Sequence, residues 1–341
     1  MKLAYLGLAL ILLSSCVKDK PQEPVKTGGS IRTESKVLVV NEGGFGYNNA
    51  DITVYDAASG SLINNYYRQQ NANEALGDVC QSVCHFDNRY FLVMNNSHKV
   101  VSVDAGMFTR KSSISGFNSP RYLLPVTYSK AYVSDLYAPS IQVIDLNSNT
   151  ITGHIPCMTG TEEMAMLYNR AFVSCSNSTY CYVISTTNDA VTDSVYVGAN
   201  ASSLLIDRYS KLWVLATGNS SQPGKLSRIN PLTLQTELSL SFGSSDNASH
   251  LRINKTRDTL YYLNKGICRF LISDTQLPSA PIVNQGSKIF YGLGVNPKDY
   301  CLYASDAIDY VQKSKIEIYR PDGSFKTSFA AGIISNGFVF E

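Results

Sequence analysis

The sequence predicts an all-β fold, a seven-bladed β-propeller with four-stranded antiparallel blades. Seven short alternating strands recur along the chain, each closed by an apolar residue and a turn residue. The turn residues that mark these strands are Asp56, Asp104, Asp145, Ser185, Asn230, Ser273 and Arg320. They are spaced 48, 41, 40, 45, 43 and 47 residues apart, a mean of 44. This spacing matches the ~40–45 residues of one propeller blade.

Each repeat contains four alternating segments, which the third repeat shows most clearly. Between Ser119 and Cys157 the segments SPRYLLPVT, KAYVSDL, SIQVIDL and TITGHIP are separated by turn or loop residues. Alternation with a period of two predicts strands joined as a meander. No stretch of the chain carries the 3.6-residue apolar stripe of a helix.

The two ends of the repeat region are complementary. The first repeat begins at its second strand, KVLVVNE, and lacks an inner strand, whereas a spare strand, GFVFE, follows the last repeat. If this tail completes the first blade, the ring closes without an open strand edge. Residues 37–341 then form one propeller domain, which is large enough to fold without metal or disulfides. We expect Trp213 to belong to its core.

The N-terminal segment predicts export. Lys2 precedes an apolar run over residues 3–13, which is too short for a span of ~20 residues, so residues 1–15 are expected to be a signal peptide. The pattern Leu-Ser-Ser-Cys resembles a bacterial lipobox, which implies cleavage before Cys16 and lipidation of that cysteine. The alternative is an ordinary secretory signal with an incidental cysteine.

Residues 16–36 are polar, contain proline and glycine, and predict a flexible tether behind the lipidated cysteine. The run Lys18-Asp19-Lys20 resembles the charged export signal of Bacteroidetes surface lipoproteins. We therefore expect an outer-membrane lipoprotein, exposed on the cell surface rather than facing the periplasm.

The charge balance argues against a nucleic-acid partner, and the number of cysteines argues against complete disulfide pairing. Without residues 1–15 the chain has 28 basic and 27 acidic side chains and no basic cluster, so nucleic acid is not an expected partner. Seven cysteines follow Cys16, an odd number that cannot pair completely within one chain. Pairing of Cys80 with Cys84 or of Cys175 with Cys181 stays open, but we expect most of these cysteines to be small buried hydrophobic residues.

The glycine-rich segment NEGGFGYNNADITVYD does not predict a phosphate loop. Gly43, Gly44 and Gly46 fit neither phosphate-binding spacing, and a strand follows them instead of a helix. In the repeat frame this segment joins the second and third strands of the first blade. Such loops lie at the same end of the ring as the joins between blades, and we call this end the loop face.

Binding residues concentrate on long loops held by a rigid scaffold, so the loop face is the predicted site. The candidate ligand-binding residues there are Phe45, Tyr47, Asn96, His98, Arg121, Tyr137, Glu162, Tyr180, Asn219 and Tyr310. Aromatic and amide side chains with little net charge suit a large, uncharged ligand rich in amides or hydroxyls.

No catalytic residues are predicted. The four histidines lie in different repeats, His98 is the only one expected on the loop face, and no nucleophile motif occurs. The adjacent Glu162 and Glu163 could serve acid–base chemistry, but carboxylates on a loop are expected to be solvated. We therefore predict no enzyme, no metal and no cofactor, with a propeller lyase or hydrolase as an alternative.

Three segments carry a family resemblance: NEGGFGYNNADITVYD, PRYLLPVTYSKAYVSDLYAPSIQVIDL and GIISNGFVFE. The chain resembles YncE-like propellers and, more narrowly, the Bacteroidetes surface lipoproteins that bind cobalamin. That resemblance implies capture of a corrinoid and delivery to a TonB-dependent outer-membrane transporter, with membrane attachment through Cys16. A surface propeller that binds a glycan or another envelope protein is the alternative.

Overall fold

Sequence-adjacent strands pair into seven four-stranded antiparallel sheets in a computed structural model that describes residues 35–341. The expected signal peptide over residues 1–15, the lipidation of Cys16 and nearly all of the tether over residues 16–36 lie outside the described residues. None of the helical residues between 35 and 341 forms a segment with the length and hydropathy of a transmembrane helix.

In chain order, the first eleven strands and one short helix belong to blades 1 to 3. Blade 1 begins with β1 (Lys36–Asn41), β2 (Asp51–Asp56) and β3 (Leu62–Ile63), which α1 (Tyr66–Gln70) follows. Blade 2 contains β4 (Cys80–Phe86), β5 (Arg89–Met94), β6 (Lys99–Asp104) and β7 (Arg110–Ser115). Blade 3 contains β8 (Pro120–Pro125), β9 (Lys130–Asp135), β10 (Ser140–Asp145) and β11 (Thr150–Pro156).

The remaining blades repeat the same order. Blade 4 contains β12 (Thr161–Leu167), β13 (Arg170–Cys175), β14 (Tyr180–Ser185) and β15 (Ala190–Tyr196). Blade 5 contains β16 (Ala201–Ile206), β17 (Leu212–Gly218), β18 (Pro223–Ile229) and β19 (Thr236–Ser241). Blade 6 contains β20 (Ser249–Ile253), β21 (Thr259–Leu263), β22 (Gly266–Leu271) and β23 (Val283–Asn284). Blade 7 contains β24 (Phe290–Val295), β25 (Leu302–Asp306), β26 (Lys313–Tyr319) and β27 (Phe325–Ile333).

The C-terminal strand β28 (Ser335–Phe340) closes the ring as the inner strand of blade 1. It pairs antiparallel with β1, with Leu38 opposite Val339. Asn336 Nδ2 donates to the Gln81 backbone carbonyl at 2.8 Å, which joins the closing strand to blade 2. The predicted seven blades and their closure by the C-terminal strand are confirmed.

Every inner strand is irregular near its start. In blade 2, Cys80 pairs with Met94 and Ser82 with Val93, so Gln81 has no opposite residue. An equivalent interruption falls at the second residue of all seven inner strands. These second residues, which we call the polar ring, are Gln81, Arg121, Glu162, Ser202, His250, Tyr291 and Asn336. Such β-bulges bend the strand and redirect a side chain.

Apolar side chains fill the space between neighbouring blades. Trp213 of blade 5 is fully buried and packs edge-on against Phe270 of blade 6, with 5.5 Å between ring centroids. Its indole nitrogen donates to Asp207 Oδ2 at 2.9 Å, so the polar end is satisfied. The expected core role of Trp213 is confirmed.

One local feature, a short helix, differs from the sequence-based prediction, whereas the state of the cysteines agrees with it. The helix α1 lies in the connection between blades 1 and 2, and the Tyr67 amide donates to Asp51 Oδ1 at 2.9 Å. Five residues are too few to show a helical period, so the pattern carried no signal for it. All seven described cysteines are free, and five are buried, which confirms the expectation that most are hydrophobic core residues.

Candidate functional site

Every blade contributes at least one side chain to the lining of a central cavity of about 290 Å³. All seven residues of the polar ring line it, together with neighbours on the same strands and Glu42 just after β1. The ring lies at the start of the inner strands, which is the end of the propeller that carries the loop face. The bulges therefore bring seven polar side chains from distant parts of the sequence together.

Arg121 and Glu162 form one ion pair of the cavity. Arg121 Nε donates to Glu162 Oε2 at 2.8 Å, and Arg121 Nη1 donates to Gln81 Oε1. Burial raises the pKa of Glu162, and the charge of Arg121 opposes that rise. The interaction links blades 2, 3 and 4, which gives both predicted residues a place in the cavity.

Glu163 and Arg252 form a second ion pair, and together with their backbone partners they connect four blades. Arg252 Nη1 donates to Glu163 Oε1 at 2.9 Å, and Arg252 Nε donates to the Leu293 carbonyl at 3.1 Å. Glu163 Oε2 accepts from the Leu204 amide at 3.2 Å. The expectation that Glu162 and Glu163 are solvated loop carboxylates is wrong, because β12 begins at Thr161 and places both against arginines.

Glu42 is the third carboxylate of the cavity. Its oxygens accept from the Tyr291 hydroxyl at 3.2 and 3.3 Å and from Asn336 Nδ2 at 2.8 Å. Among the described residues it makes no ion pair with a lysine or arginine. Burial raises the pKa of Glu42, and these hydrogen bonds and the positive charge of Arg121 oppose the rise. The cavity thus combines three carboxyl groups with two guanidinium groups.

His250 places a neutral imidazole in the cavity. Burial, and then the positive charge of Arg252, lower the pKa of His250 to about 3. Its Nδ1 lies 3.0 Å from Ser249 Oγ. The expectation that His98 is the only histidine on the loop face is wrong, because His250 is the second residue of an inner strand and therefore lies at the same end.

Two of the ten predicted residues line the cavity, and a third packs against one of its lining residues. Arg121 and Glu162 belong to the polar ring, and Tyr310 packs edge-on against Tyr291 with 5.5 Å between ring centroids. Tyr310 lies in the loop between β25 and β26, so it connects the loop face with the ring.

Phe45, Tyr47 and Tyr137 lie on the loop face with 73%, 78% and 65% of their surface exposed. Asn96 and His98 instead hold loops in place. Asn96 Nδ2 donates to Asp78 Oδ2 at 2.6 Å, and His98 Nδ1 contacts the Asn118 carbonyl.

Tyr180 and Asn219 line a shallow depression between blades 4 and 5, away from the central cavity. Tyr180 packs edge-on against Tyr196, with 5.9 Å between ring centroids. The Asn219 side chain accepts from two backbone amides of its own loop at 2.9 Å. These two residues are therefore separate from the polar ring.

Sequence reasoning missed most of the cavity. The lining residues that were not predicted include Glu42, Gln81, Glu163, Ser202, His250, Arg252, Tyr291 and Asn336. A signal was present, because aligning the repeats on their inner strands would have placed the seven second residues in register. Their side chains share no chemical type, so no motif pointed to them.

The cavity is suited to hydrogen bonding with a polar group. Its carboxyl and guanidinium groups nearly balance in charge, and the imidazole of His250 is neutral. No lysine is among the lining residues that the structure describes. Within residues 35–341, no cluster of three histidine, cysteine, aspartate or glutamate side chains is arranged to hold a metal ion.

The fold and this site define a seven-bladed β-propeller with an ion-paired polar cavity at its axis. Within that class, the chain belongs to the family described as Domain of unknown function (DUF5074), whose profile matches residues 36–324. No curated protein matches the sequence.

Solved structures share the propeller at low sequence identity. A quinonprotein alcohol dehydrogenase-like protein from Bacteroides thetaiotaomicron has 14% identity and a TM-score of 0.71, covering 90% of this chain and 78% of its own. A putative 6-phosphogluconolactonase from Bacteroides fragilis has 11% identity and a TM-score of 0.69, covering 94% of this chain and 100% of its own. A functionally unknown protein from Desulfotomaculum acetoxidans has 12% identity and a TM-score of 0.68, covering 90% and 98%. These similarities concern the fold alone.

Proposed function

We propose that this chain is a surface binding protein that captures a large, uncharged, amide-rich ligand on its loop face, and that the ligand is cobalamin or a related corrinoid. The observation that carries the proposal is that three exposed aromatic side chains, Phe45, Tyr47 and Tyr137, lie at the same end of the ring as the central polar cavity. Exposed aromatic side chains are costly to leave in water and supply large contact areas in binding sites.

The glycine-rich loop of blade 1 is preorganised for this role. The Gly46 amide donates to Asp78 Oδ2 at 2.7 Å, and the Gly44 amide donates to Asn49 Oδ1 at 2.8 Å. These contacts hold the backbone that carries Phe45 and Tyr47. A loop ordered before binding loses less conformational entropy when a ligand arrives, which favours high affinity.

The near balance of charge supports an uncharged ligand. Both guanidinium groups in the cavity already pair with carboxylates, so no unpaired positive charge is available there for an anion. A corrinoid is broad, carries many amides and is nearly neutral, so aromatic loops around a polar cavity suit it. The sequence resemblance to cobalamin-binding surface lipoproteins supports the same ligand.

The proposal includes transfer of the ligand to a TonB-dependent outer-membrane transporter and retention at the membrane through lipid on Cys16. In this arrangement the loop face lies over the mouth of the transporter. The chain acts by binding, without catalytic turnover.

Calorimetric titration of residues 17–341 with cyanocobalamin tests the proposal. We expect one-to-one binding in the nanomolar range. Absence of heat at micromolar protein would contradict the corrinoid assignment. Binding of an envelope glycan in its place would favour the alternative interaction protein, and chemical conversion of a ligand that depends on Glu162 would favour a lyase or hydrolase.

A further inference from the structure

The two arginines of the cavity have hydrogen-bonding capacity that their ion pairs leave unused. Arg121 donates through Nε and Nη1, and Arg252 also donates through Nε and Nη1. Among the described residues, no acceptor contacts Nη2 of either side chain. Both side chains keep accessible surface, 21% for Arg121 and 28% for Arg252. Each arginine therefore retains a donor for a group that enters the cavity.

The charges around these donors select against an anion. Each guanidinium group already has a carboxylate partner, and Glu42 adds a third carboxyl group, on which Arg121 acts only from beyond ion-pair distance. A ligand carboxylate would therefore face net repulsion in a site of low dielectric. An uncharged carbonyl oxygen could accept from the arginines without that cost.

The size of the cavity limits what can enter. About 290 Å³ is at the lower end of the range for small-molecule pockets. It can hold one arm of a large ligand, while the body of that ligand rests on the loop face. Tyr310, which lies in a loop of the loop face, packs against Tyr291 of the polar ring, so the two levels are in contact at this point.

We propose that a primary carboxamide arm of the captured ligand enters the polar ring. Its carbonyl oxygen accepts hydrogen bonds from the unused Nη2 groups of Arg121 and Arg252, and its NH₂ group donates to the Glu42 carboxyl. This inference rests on the proposed function, and it identifies the cavity as the part of the site that distinguishes an amide from a carboxylate.

The test compares cyanocobalamin with its monocarboxylic acid derivatives, in each of which one peripheral amide is replaced by a carboxylate. We expect at least one of these acids to bind the wild-type protein at least tenfold more weakly than cyanocobalamin. Because Glu42 contributes to the repulsion, the Glu42→Gln variant should bind that acid at least threefold more tightly than the wild-type protein does. Glu237→Gln is the matched control, since Glu237 pairs with Lys211 far from the ring and should restore nothing.

The outcomes separate this inference from the proposed function. If cyanocobalamin itself gives no heat, the proposed function fails and the inference fails with it. If cyanocobalamin binds and every acid binds within twofold of it, the proposed function stands and the inference is overturned. A tenfold loss that Glu42→Gln leaves unchanged would also overturn the inference, provided that this variant melts cooperatively. The comparison of ligands on the wild-type protein does not depend on any variant folding.

Discussion

Glu42 shows how one buried carboxyl group can couple the cavity to pH. Burial raises its pKa above the usual value of 4.5, so the folded protein holds this proton more tightly than the unfolded chain. Its contribution to stability is therefore fully present below pH 4.5 and is lost as pH rises through the pKa of the folded state.

Glu42→Gln should remove this dependence. We expect the melting temperature of the variant, relative to wild type, to rise between about pH 4 and pH 8. Differential scanning fluorimetry across this range measures the difference.

Glu237→Gln is the control, because the pKa of Glu237 is lowered in the folded protein whereas that of Glu42 is raised. Its hydrogen bond with Lys211 lowers the pKa of Glu237, so this carboxylate stabilises the fold above pH 4.5 and the contribution is lost as pH falls. The relative melting temperature of this variant should fall as pH rises. A flat profile for Glu42→Gln would show that its carboxyl group titrates alike in the folded and unfolded states.

We expect substitutions of Arg121 and Glu162 to have strongly non-additive effects on the free energy of unfolding. Replacing either residue with methionine leaves its partner's charge buried without its counter-ion, which should cost about 2–4 kcal/mol. Replacing both removes the unpaired charge, so the double variant should be more stable than the sum of the two losses implies, by about 1–3 kcal/mol. Urea denaturation of the four proteins measures this coupling. Additive losses would show that the two side chains contribute independently.

At the residue scale, sequence reasoning identified the two members of this pair and missed most of their neighbours. Arg121 and Glu162 stood out because they flank joins between blades. Ser202 and His250 occupy the equivalent positions, but serine in a join has no distinctive chemistry and the histidine lies in a segment with no spacing motif. The bulges that turn these side chains inward depend on strand pairing, which a single sequence does not contain.

The closing strand β28 is the element on which the ring depends most directly. Phe338 and Phe340 pack against Tyr303 of blade 7, with ring centroids 5.7 and 5.2 Å away, and Ser335 Oγ donates to Asn41 Oδ1 at 2.7 Å. Removing residues 335–341 exposes an unpaired edge on β1 and opens the ring.

We expect the truncated protein to lose its cooperative thermal transition or to aggregate. A synthetic peptide of residues 335–341 should partly restore the transition by adding back the missing strand. Circular dichroism melting with and without the peptide measures both effects. A truncated protein that melts at the wild-type temperature would contradict this role of β28.

At the element scale, the long alternating strands were predictable and the short elements were not. The predicted KAYVSDL segment contains β9, and the predicted SIQVIDL segment contains β10. The two-residue outer strands β3 and β23 are too short to show a period of two. Their pairing comes from the neighbouring strand, so their sequence carries little of the information that places them.

At the scale of the whole molecule, stability comes from the packed ring without covalent links among the described residues. All seven described cysteines are free, and Cys80, Cys175 and Cys181 are fully buried. We therefore expect the melting temperature to change by less than about 1 °C on adding a reductant, because no disulfide constrains the unfolded chain. Melting with and without dithiothreitol tests this, and a lowered melting temperature would indicate a disulfide.

The number of blades and the position of the loop face were predictable because a mean repeat of 44 residues and the order of strands within it determine both. The ligand was not, because the same propeller scaffold can carry unrelated sites. Binding on the loop face is therefore the central claim to test.

The most direct measurement compares cyanocobalamin affinity in two triple variants by calorimetry. Phe45→Ala, Tyr47→Ala and Tyr137→Ala remove exposed aromatic side chains from the loop face. Tyr128→Ala, Tyr168→Ala and Tyr209→Ala remove three exposed tyrosines from turns at the opposite end of the ring. We predict that the first set weakens binding more than tenfold and that the second changes it less than twofold. Equal affinities for the two variants, or a greater loss in the second, would contradict capture on the loop face.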